Sequence, residues 1–295
     1  MSRIHHARKS VDLDRGALHS VDVELERLGE NTPIGRAPVT EVAGTVPIQP
    51  DPPLKLPADA AVADSILLSC ARHNWEPHPD MTIFFGGKEL TPGAEEFRSL
   101  RSQLYRVRKE QNLRSLLIAS ALPKEGRSFV AANLAQVLAL QSKCRVLLID
   151  ADLRNPRLHS IFGTSGQPGL SEYLLQEADE FSVMQRGSAQ DLFLIPAGRS
   201  VEGQTELVAS GRLRVLIDQI GSLFDWIIVD SPAAIPVTDA CLLANSCDGV
   251  LLVVRSHSTP FDIVKKARQR FREESLVGVV LNKIETEISA PGRKS

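Results

Sequence analysis

The stretch that decides the fold reads Arg145-Val-Leu-Leu-Ile-Asp-Ala-Asp-Leu-Arg154. Residues 146–149 form a continuous apolar run, which is typical of a strand that is buried in a parallel sheet. Asp150 and Asp152 come where this strand should end, and open α/β sheets bind their ligands beyond the carboxyl ends of the strands. Two carboxylates there suit Mg²⁺ and its water molecules. The plainer alternative is that the two aspartates cap the next helix.

The loop upstream, Ala121-Leu-Pro-Lys-Glu-Gly-Arg-Ser-Phe129, is a degraded Walker A motif. Such a loop needs backbone N–H groups that cradle phosphate, a cation, and a hydroxyl that reaches Mg²⁺. Gly126 supplies the second glycine of the motif and Ser128 the hydroxyl. Residues 115–119 read as the entering strand, and 129–140 as a helix whose N-terminus faces the phosphates.

Two positions of this loop depart from the motif. Ala121 replaces the first glycine, and Arg127 replaces the lysine. An arginine keeps the positive charge but is longer, planar and forked, so the exchange is not conservative. The position of the loop between a strand and a helix, before paired aspartates, still indicates a phosphate site.

Further strands follow at α/β spacing. Phe224-Asp-Trp-Ile-Ile-Val-Asp-Ser-Pro232 ends an apolar strand in Asp230, the arrangement of a Walker B carboxylate that reaches Mg²⁺. Residues 249–254 and 277–281 read as two more strands. Asn282 ends the last of them, where its amide either reads a nucleotide base or simply closes a turn.

These elements predict a P-loop NTPase domain with a doubly wound, mostly parallel α/β sheet of the MinD/ParA-like superfamily. We expect residues 1–80 to be a largely disordered N-terminal region and linker, 81–288 the nucleotide-binding domain, and 289–295 a short tail. The segment 31–57 is rich in proline and lacks periodicity. Residues 11–28 have Leu and Val at roughly helical spacing, which indicates either a short docking helix or a marginal solvated one.

Over residues 90–285 or so the chain resembles the cytoplasmic kinase domain of the bacterial tyrosine kinases (BY-kinases) of exopolysaccharide and capsule synthesis. Short segments in a fixed order carry the resemblance. They are Glu95-Glu-Phe-Arg-Ser-Leu-Arg101, Glu125-Gly-Arg-Ser-Phe129, Asn133-Leu-Ala135, Val146-Leu-Leu-Ile-Asp-Ala-Asp-Leu-Arg-Asn-Pro156, Gly169-Leu170, Ile195-Pro-Ala-Gly198, Phe224-Asp225, Val229-Asp-Ser-Pro232, Val237-Thr-Asp-Ala240, Asp248-Gly-Val-Leu-Leu-Val-Val-Arg255 and Val279-Val-Leu-Asn282.

The resemblance implies an ATP- and Mg²⁺-dependent kinase that works with a membrane-spanning chain-length regulator. It implies a cytoplasmic protein held at the inner face of the plasma membrane through that partner. Family members assemble into rings through an E-x-x-R-x-x-R helix, which Glu95, Arg98 and Arg101 match. On residue chemistry alone these three form a solvated helix face with a weak ion pair.

We assign the site residues by role. Backbone amides from Glu125 to Ser128 hold phosphate, and Arg127 sits on the phosphates in place of the lysine. The catalytic residues are then Asp150, Asp152 and Arg127; the nucleotide-binding residues are Lys124, Glu125, Gly126, Arg127, Ser128, Phe129 and Asn282; the metal-binding residues are Ser128, Asp152 and Asp230.

Three functions compete: a protein-tyrosine kinase that regulates polysaccharide polymerisation or export, a non-phosphorylating nucleotide-binding regulator of the same machinery, and a partition or division-site ATPase. Those ATPases carry a second lysine after the first glycine of the loop, where this chain has Leu122. BY-kinases usually carry a tyrosine-rich tail, whereas this chain has only Tyr105 and Tyr173, and residues 288–295 have none. That difference keeps the first two functions open.

The composition gives no indication of a nucleic-acid-binding, cysteine-ligated metal or transmembrane protein. A net charge of −2 gives no indication of nucleic-acid binding. The four cysteines are scattered without metal-ligand spacing and read as reduced thiols. No apolar run is long enough for a transmembrane helix, and the 43% of hydrophobic residues suffices for a sizeable core.

Overall fold

The computed structural model describes residues 21–24, 67, 70–85, 92–187 and 191–283. They fold around one nine-stranded sheet, in the order β1-β9-β8-β3-β7-β4-β6-β5-β2. In chain order the strands are β1 (Val21–Glu24), β2 (Ala71–Arg72), β3 (Ser115–Ser120), β4 (Val146–Asp150), β5 (Gln185–Arg186), β6 (Leu192–Ile195), β7 (Trp226–Asp230), β8 (Gly249–Arg255) and β9 (Leu276–Asn282).

The six central strands, β9, β8, β3, β7, β4 and β6, are parallel to one another. Antiparallel pairing appears only toward the edges, between β1 and β9 and between β5 and β6. The predicted doubly wound, mostly parallel P-loop fold is therefore confirmed.

Helices cover both faces of the sheet. They are α1 (Pro92–Glu110), α2 (Arg127–Ala139), α3 (Leu158–Phe162), α4 (Leu170–Leu174), α5 (Gln204–Ala209), α6 (Arg212–Ile220), α7 (Asp239–Ala244) and α8 (Phe261–Arg268), with 3₁₀ turns at Gly221–Leu223 and Glu273–Ser275. Alternate residues of β3 enter two separate cores: Leu116 and Ile118 pack with α1 and α2, and Leu117 and Ala119 with the opposite layer. Both faces are thus buried, which explains the continuous apolar runs.

The strand order brings the predicted functional segments to one edge of the sheet. β7 lies between β3 and β4, so the carboxyl ends of all three strands are neighbours. Asp150 stands opposite Asp230 in the register of β4 and β7, and Asp230 stands opposite Ile118 of β3. The loop that follows β3 therefore opens beside both strand-ending aspartates.

The nucleotide-binding domain begins earlier than residue 81. β2 pairs with β5, and Trp75 is buried against Phe162, with 5.0 Å between ring centroids. The backbone N–H of His78 donates to the carbonyl of Ile161 at 2.8 Å. Residues 70–80, which the sequence predicts to be linker, thus pack on the domain. Their two-residue strand and two prolines give no periodic pattern that could have revealed this.

The helix predicted over residues 11–28 is wrong for Val21–Glu24, which form β1 and pair with β9. The remainder of that segment lies outside the described residues. So do the proline-rich segment 31–57 and the tail 289–295.

Candidate nucleotide and metal site

The phosphate loop after β3 is closed by its own side chains. Glu125 is buried, and its carboxylate accepts a hydrogen bond from the backbone N–H of Leu122 at 2.7 Å. The hydroxyl of Thr259 donates to the same carboxylate. A buried carboxylate that is bonded from both sides holds the loop in one shape. Glu125, predicted to bind nucleotide, contributes its backbone and the shape of the loop.

Gly126 is required by the conformation at the turn into α2. Its φ of 95° lies in the left-handed region, and a Cβ placed there would lie 1.8 Å from Nδ2 of Asn282. Lys124, two residues earlier, also has a positive φ of 67°. Both residues line the cavity in front of the loop. Only glycine fits the closest point between loop and β9.

Asn282 makes a contact that its sequence position did not predict. The residue is fully buried, and its side-chain N–H donates to the carbonyl of Glu125 at 2.8 Å. The amide therefore ties the end of β9 to the phosphate loop. Recognition of a nucleotide base by Asn282 stays a prediction, since this amide nitrogen already has a partner.

Arg127 lies among the acids rather than free above the loop. Its Nη2 is 2.8 Å from Oδ2 of Asp152, and its Nε is 3.5 Å from Oδ1 of Asp230. A second hydrogen bond runs from Nη1 to the hydroxyl of Ser120 at 2.9 Å, whereas the contact of Nε with Asp230 is an ion pair without hydrogen-bond geometry. The planar guanidinium presents separate nitrogens to partners on different sides, whereas an ammonium donates from one compact atom. The predicted contact of Arg127 with phosphate would require it to leave these partners.

Asp230 has the environment of an unfilled cation ligand. It is fully buried, and no group of good geometry donates a hydrogen bond to either carboxylate oxygen among the described residues. Burial raises the pKa of Asp230, although the Arg127 guanidinium opposes the rise. The Ser128 hydroxyl lies beside it and favours the charged form. A buried carboxylate with spare oxygens fits a magnesium ligand.

Asp150 and Asp152 differ in their surroundings: Asp150 caps a helix, and Asp152 faces the cavity. Oδ2 of Asp150 accepts from the backbone N–H groups of Arg157 at 3.0 Å and Leu158 at 2.9 Å. Asp150 thus caps α3, as the plainer alternative has it, while burial and the charge of Asp230 raise its pKa. Asp152 reaches the cavity, with Oδ1 holding the N–H of Asn155 at 3.1 Å. The catalytic assignment therefore favours Asp152.

The loops enclose a cavity of about 630 Å³, a usual size for a small-molecule site. Ser128 and Phe129 line it at the start of α2, together with the loops after β4 and β7. The Phe129 ring is largely buried and packs edge-on against Phe97, with 6.0 Å between centroids. Phe129 therefore positions the helix N-terminus from within the core.

Sequence reasoning missed several residues of this cavity. His78 and Met81 line it from the segment before α1, and Lys283 lines it just after β9. Arg154 also lines it, and its Nε is 2.8 Å from Oδ2 of Asp239. Arg154 stands in a quoted stretch and could have been found there. The others lie in segments without a motif.

The described residues hold no group of three or more histidines, cysteines, aspartates or glutamates arranged to bind a metal ion. Mg²⁺ rarely has such a cage, because it is usually bound by one or two carboxylates, substrate phosphates and water. Ser128, Asp152 and Asp230 fit that incomplete set. Among the described helices, none is long and apolar enough to cross a membrane.

The E-x-x-R-x-x-R residues lie on α1 and have partners within the chain. Arg98 Nη1 is 2.5 Å from Oε1 of Glu95, and Arg101 Nη1 donates to the carbonyl of Val137 at 2.9 Å. Glu95 is exposed and the two arginines are half-buried. Assembly through this face stays a prediction.

Both tyrosines are engaged in packing. Tyr173 is buried, and its hydroxyl donates to Oε1 of Gln219 at 3.2 Å. The half-buried Tyr105 has its hydroxyl 3.5 Å from Sγ of Cys144, and burial raises the pKa of Tyr105 to about 12. Neither residue lines the cavity.

Several known proteins are similar to this chain in sequence. The chain is 33% identical over 191 residues to the tyrosine-protein kinase YwqD of Bacillus subtilis (strain 168). This match covers 64% of the present chain and 80% of YwqD. It is 31% identical over 201 residues to the tyrosine-protein kinase CpsD of Streptococcus agalactiae serotype III, covering 67% and 85%. The succinoglycan biosynthesis transport protein ExoP of Rhizobium meliloti (strain 1021) is 35% identical over 207 residues, covering 68% of this chain and 26% of ExoP. No family model matches the chain.

Solved structures agree. The kinase domain of the Escherichia coli tyrosine kinase ETK matches with a TM-score of 0.68 and 30% identity, covering 76% of this chain and 87% of that domain. The chimerical protein CapA2B2 matches with a TM-score of 0.65 and 28% identity, covering 77% and 99%. The recognised resemblance is confirmed: this chain belongs to the bacterial tyrosine-protein kinases of the P-loop class.

Proposed function

We propose that this chain uses ATP and Mg²⁺ to phosphorylate tyrosine on a second protein, and that it thereby regulates the polymerisation or export of an exopolysaccharide or capsule. The observation that carries the proposal is that the closed phosphate loop and Asp152 line one cavity, and that the buried Asp230 lies 3.5 Å from Nε of Arg127, which lines it too. Phosphoryl transfer depends mostly on positioning and on neutralising charge. This constellation supplies both.

The residues take roles that follow from their surroundings. Backbone N–H groups of residues 125–128 and the N-terminus of α2 bind the phosphates. Ser128, Asp152 and Asp230 hold Mg²⁺, which would neutralise charge on the phosphates when bound. Lys124 lines the cavity beside them. Glu125 and Asn282 hold the loop in its shape through the hydrogen bonds described above.

Asp152 is the residue we assign to the acceptor hydroxyl, because its carboxylate lines the cavity while Asp150 is committed to capping α3. Asp152 orients this hydroxyl and accepts its proton. Asp150 supports the reaction indirectly by fixing the loop that carries Asp152.

The acceptor tyrosine belongs to another protein. Tyr173 is buried, Tyr105 is half-buried with its hydroxyl against Cys144, and neither lines the cavity. Relatives named tyrosine-protein kinase and transport protein support an acceptor within a polysaccharide-export system. We propose a membrane-spanning chain-length regulator as partner, a cytoplasmic location at the inner face of the plasma membrane through that partner, and self-association through Glu95, Arg98 and Arg101.

A second candidate is a nucleotide-binding regulator of the same machinery that transfers no phosphate. The pairing of Arg127 with Asp152 and Asp230 favours it, because these carboxylates are then occupied by an internal cation. The two candidates share the nucleotide site and differ in whether phosphate is transferred to a protein.

Incubation of the purified chain with γ-labelled ATP, Mg²⁺ and the candidate membrane partner separates the two functions. A kinase labels tyrosine on the partner, and Asp152→Asn abolishes this label. Titration calorimetry on wild type and Asp230→Ala, with Asp262→Ala on the exposed face of α8 as matched control, tests the site itself. Metal-dependent ATP binding without label on any protein would establish the regulator, and undiminished affinity in Asp230→Ala would place the metal elsewhere.

A further inference from the structure

The cavity carries more positive charge than the phosphate site uses. Among the residues that the structure describes, its lining includes the cations Lys124, Arg127, Arg154, Arg157 and Lys283 and a single acidic residue, Asp152. Clefts lined by one sign of charge concentrate ligands of the opposite sign. The excess of cations therefore indicates what else the cavity binds.

Two of these cations are neutralised within the chain. Arg127 is held by Asp152 and Asp230, as described above. Arg154 is held by Asp239 at 2.8 Å, and its Nη2 also donates to the hydroxyl of Thr205 at 2.7 Å. Neither guanidinium is available to a ligand without breaking these bonds.

The three remaining cations, Lys124, Arg157 and Lys283, have no ionic partner among the residues that the structure describes. Lys124 belongs to the phosphate loop, and Lys283 directly follows the residue that is bonded to that loop. Both therefore stand on the phosphate side. Arg157 stands apart from them, on the loop that carries Asp152.

Arg157 is exposed but firmly positioned. Its backbone N–H is held at 3.0 Å by the carboxylate of Asp150, so its loop has a fixed path. Beside it, Ile161 lines the cavity with Ser160, and Met81 lines it from the segment before α1. A cation next to apolar side chains suits a ligand that is both aromatic and acidic.

We propose that Arg157, Met81 and Ile161 form the acceptor subsite of this kinase, and that it selects tyrosines flanked by acidic residues. The inference rests on the proposed kinase function, since an acceptor must approach the nucleotide from the side of Asp152. Met81 and Ile161 contact the tyrosine ring, and Arg157 pairs with a neighbouring carboxylate. Arg157 is a specificity-determining residue and does not take part in phosphoryl transfer.

The test uses three nonapeptides with one central tyrosine, flanked by glutamates, by glutamines or by lysines. Phosphorylation is measured as kcat/KM with Mg²⁺ and ATP, and binding of fluorescein-labelled peptides by anisotropy with Mg²⁺ and ADP. An exposed ion pair contributes about 0.2–1 kcal/mol, so we expect wild type to prefer the glutamate peptide over the glutamine peptide by about 1.4- to fivefold. The difference should shrink as salt is raised.

Three variants make the test specific. Arg157→Glu should reverse the order of the glutamate and lysine peptides, and Arg157→Lys should restore the wild-type order. Arg272→Glu is the matched control, because this exposed arginine precedes β9 at the opposite edge of the sheet and lies outside the cavity. It carries the same charge change and should leave the order unaltered.

The outcomes separate the inference from the function on which it rests. Acidic peptides that bind through Arg157 but gain no phosphate would uphold the subsite and overturn the kinase proposal. Peptides phosphorylated at equal rates by wild type and Arg157→Glu would overturn the subsite and leave the kinase standing. Loss of both binding and label with every peptide would overturn both.

Discussion

The guanidinium of Arg127 is bonded to the carboxylate of Asp152, with 2.8 Å between Nη2 and Oδ2. Both side chains are largely buried, and Asp230 stands 3.5 Å from Nε on the other side. The residue that replaces the motif lysine thus occupies the place between the two proposed metal ligands. Nucleotide and Mg²⁺ can fill the site only if this guanidinium moves, so the arginine sets the affinity of the site.

Arg127→Lys should strengthen binding of ATP with Mg²⁺ and raise phosphoryl transfer by about tenfold. The guanidinium bonds Asp152 and Ser120 through two separate nitrogens, whereas an ammonium donates from one compact atom. We expect the lysine to be held less tightly by about one hydrogen bond to a charged group, about 1.5 kcal/mol, and therefore to be released more easily. Calorimetry and transfer to a supplied substrate measure the two effects. Arg214→Lys, in an exposed pair on α6, is the control. Weaker binding in Arg127→Lys would mean that the arginine already serves the phosphates.

Binding of ATP with Mg²⁺ should release protons and strengthen as pH rises from 6 to 8. Burial raises the pKa of Asp230, so part of this carboxyl is protonated in the free protein, and a metal binds only the ionised form. Calorimetry in two buffers of different ionisation enthalpy counts the protons released. Asp230→Asn should abolish the release, while Asp262→Asn should leave it intact. A pH-independent affinity in wild type would exclude Asp230 as a ligand.

The raised pKa values of Asp150 and Asp230 also make the free energy of unfolding depend on pH. The pKa values of Asp150 and Asp230 are higher in the folded chain than in the unfolded one, so the folded state binds more protons above pH 4. Their contribution to the free energy of unfolding should therefore fall as pH rises from about 4 to neutrality. Urea unfolding of wild type and Asp230→Asn across this range measures it. An identical slope in both proteins would contradict the assignment.

Gly126→Ala should weaken ATP binding more than tenfold and destabilise the fold, because its Cβ would lie 1.8 Å from Nδ2 of Asn282. Gly211→Ala is a matched control: its φ of 76° is also positive, but nothing lies within 4 Å of its Cβ. Gly211→Ala should lower the free energy of unfolding only by the penalty for a left-handed backbone, about 1–2 kcal/mol, and should leave ATP binding unchanged. Asn282→Ala added to Gly126→Ala should recover part of the loss in stability. Equal effects of the two glycine substitutions would show that the close approach is unimportant.

The fold could be predicted from the sequence because its signals are local. The apolar runs of β3, β4, β7 and β8 are buried on both faces, and a continuous apolar run predicts such a strand without knowledge of its neighbours. Likewise, the acids at the ends of β4 and β7 follow from where their strands stop. The early start of the domain could not be predicted, because β2 has two residues and is stabilised by pairing with β5, more than one hundred positions along the chain.

The sequence predicts that Arg127, Asp152 and Asp230 lie at one edge of the sheet, but it does not predict how they pair. Their pairing depends on strand order, which brings β7 between β3 and β4. The amide of Asn282 was expected at the edge of the nucleotide, whereas it bonds to Glu125. Side chains from residues 78–81 join the cavity only because Trp75 packs on α3.

Tyr105→Phe, Tyr173→Phe and deletion of residues 288–295 should each leave phosphorylation of a supplied substrate unchanged. Tyr173 is buried, the hydroxyl of Tyr105 faces Cys144, and residues 288–295 contain no tyrosine. An acceptor needs a hydroxyl that reaches the cavity, and neither tyrosine lines it. Tryptic mass spectrometry after incubation with ATP gives the site of any label.

Tyr105→Phe should retain its stacking on Trp226, 5.6 Å between centroids, so its melting temperature serves as a folding control. Phosphate found on Tyr105 or Tyr173 of the folded wild-type chain would show that the domain opens during turnover.

Arg98→Ala combined with Arg101→Ala should weaken self-association of the chain in the presence of its membrane partner. The two side chains follow one another along α1 at a spacing that puts them on one helix face, and Arg98 forms an ion pair with an exposed glutamate three positions away. An exposed pair of this kind exchanges easily for one across a subunit boundary.

Arg101→Ala alone also removes the bond to Val137, so its effect on unfolding must be measured separately. Arg106→Ala, at an exposed position of α1, is the control. Light scattering should give a smaller mean mass for the double variant than for wild type and control at equal concentration. The same monomeric mass for all proteins at every concentration would remove α1 as an assembly face.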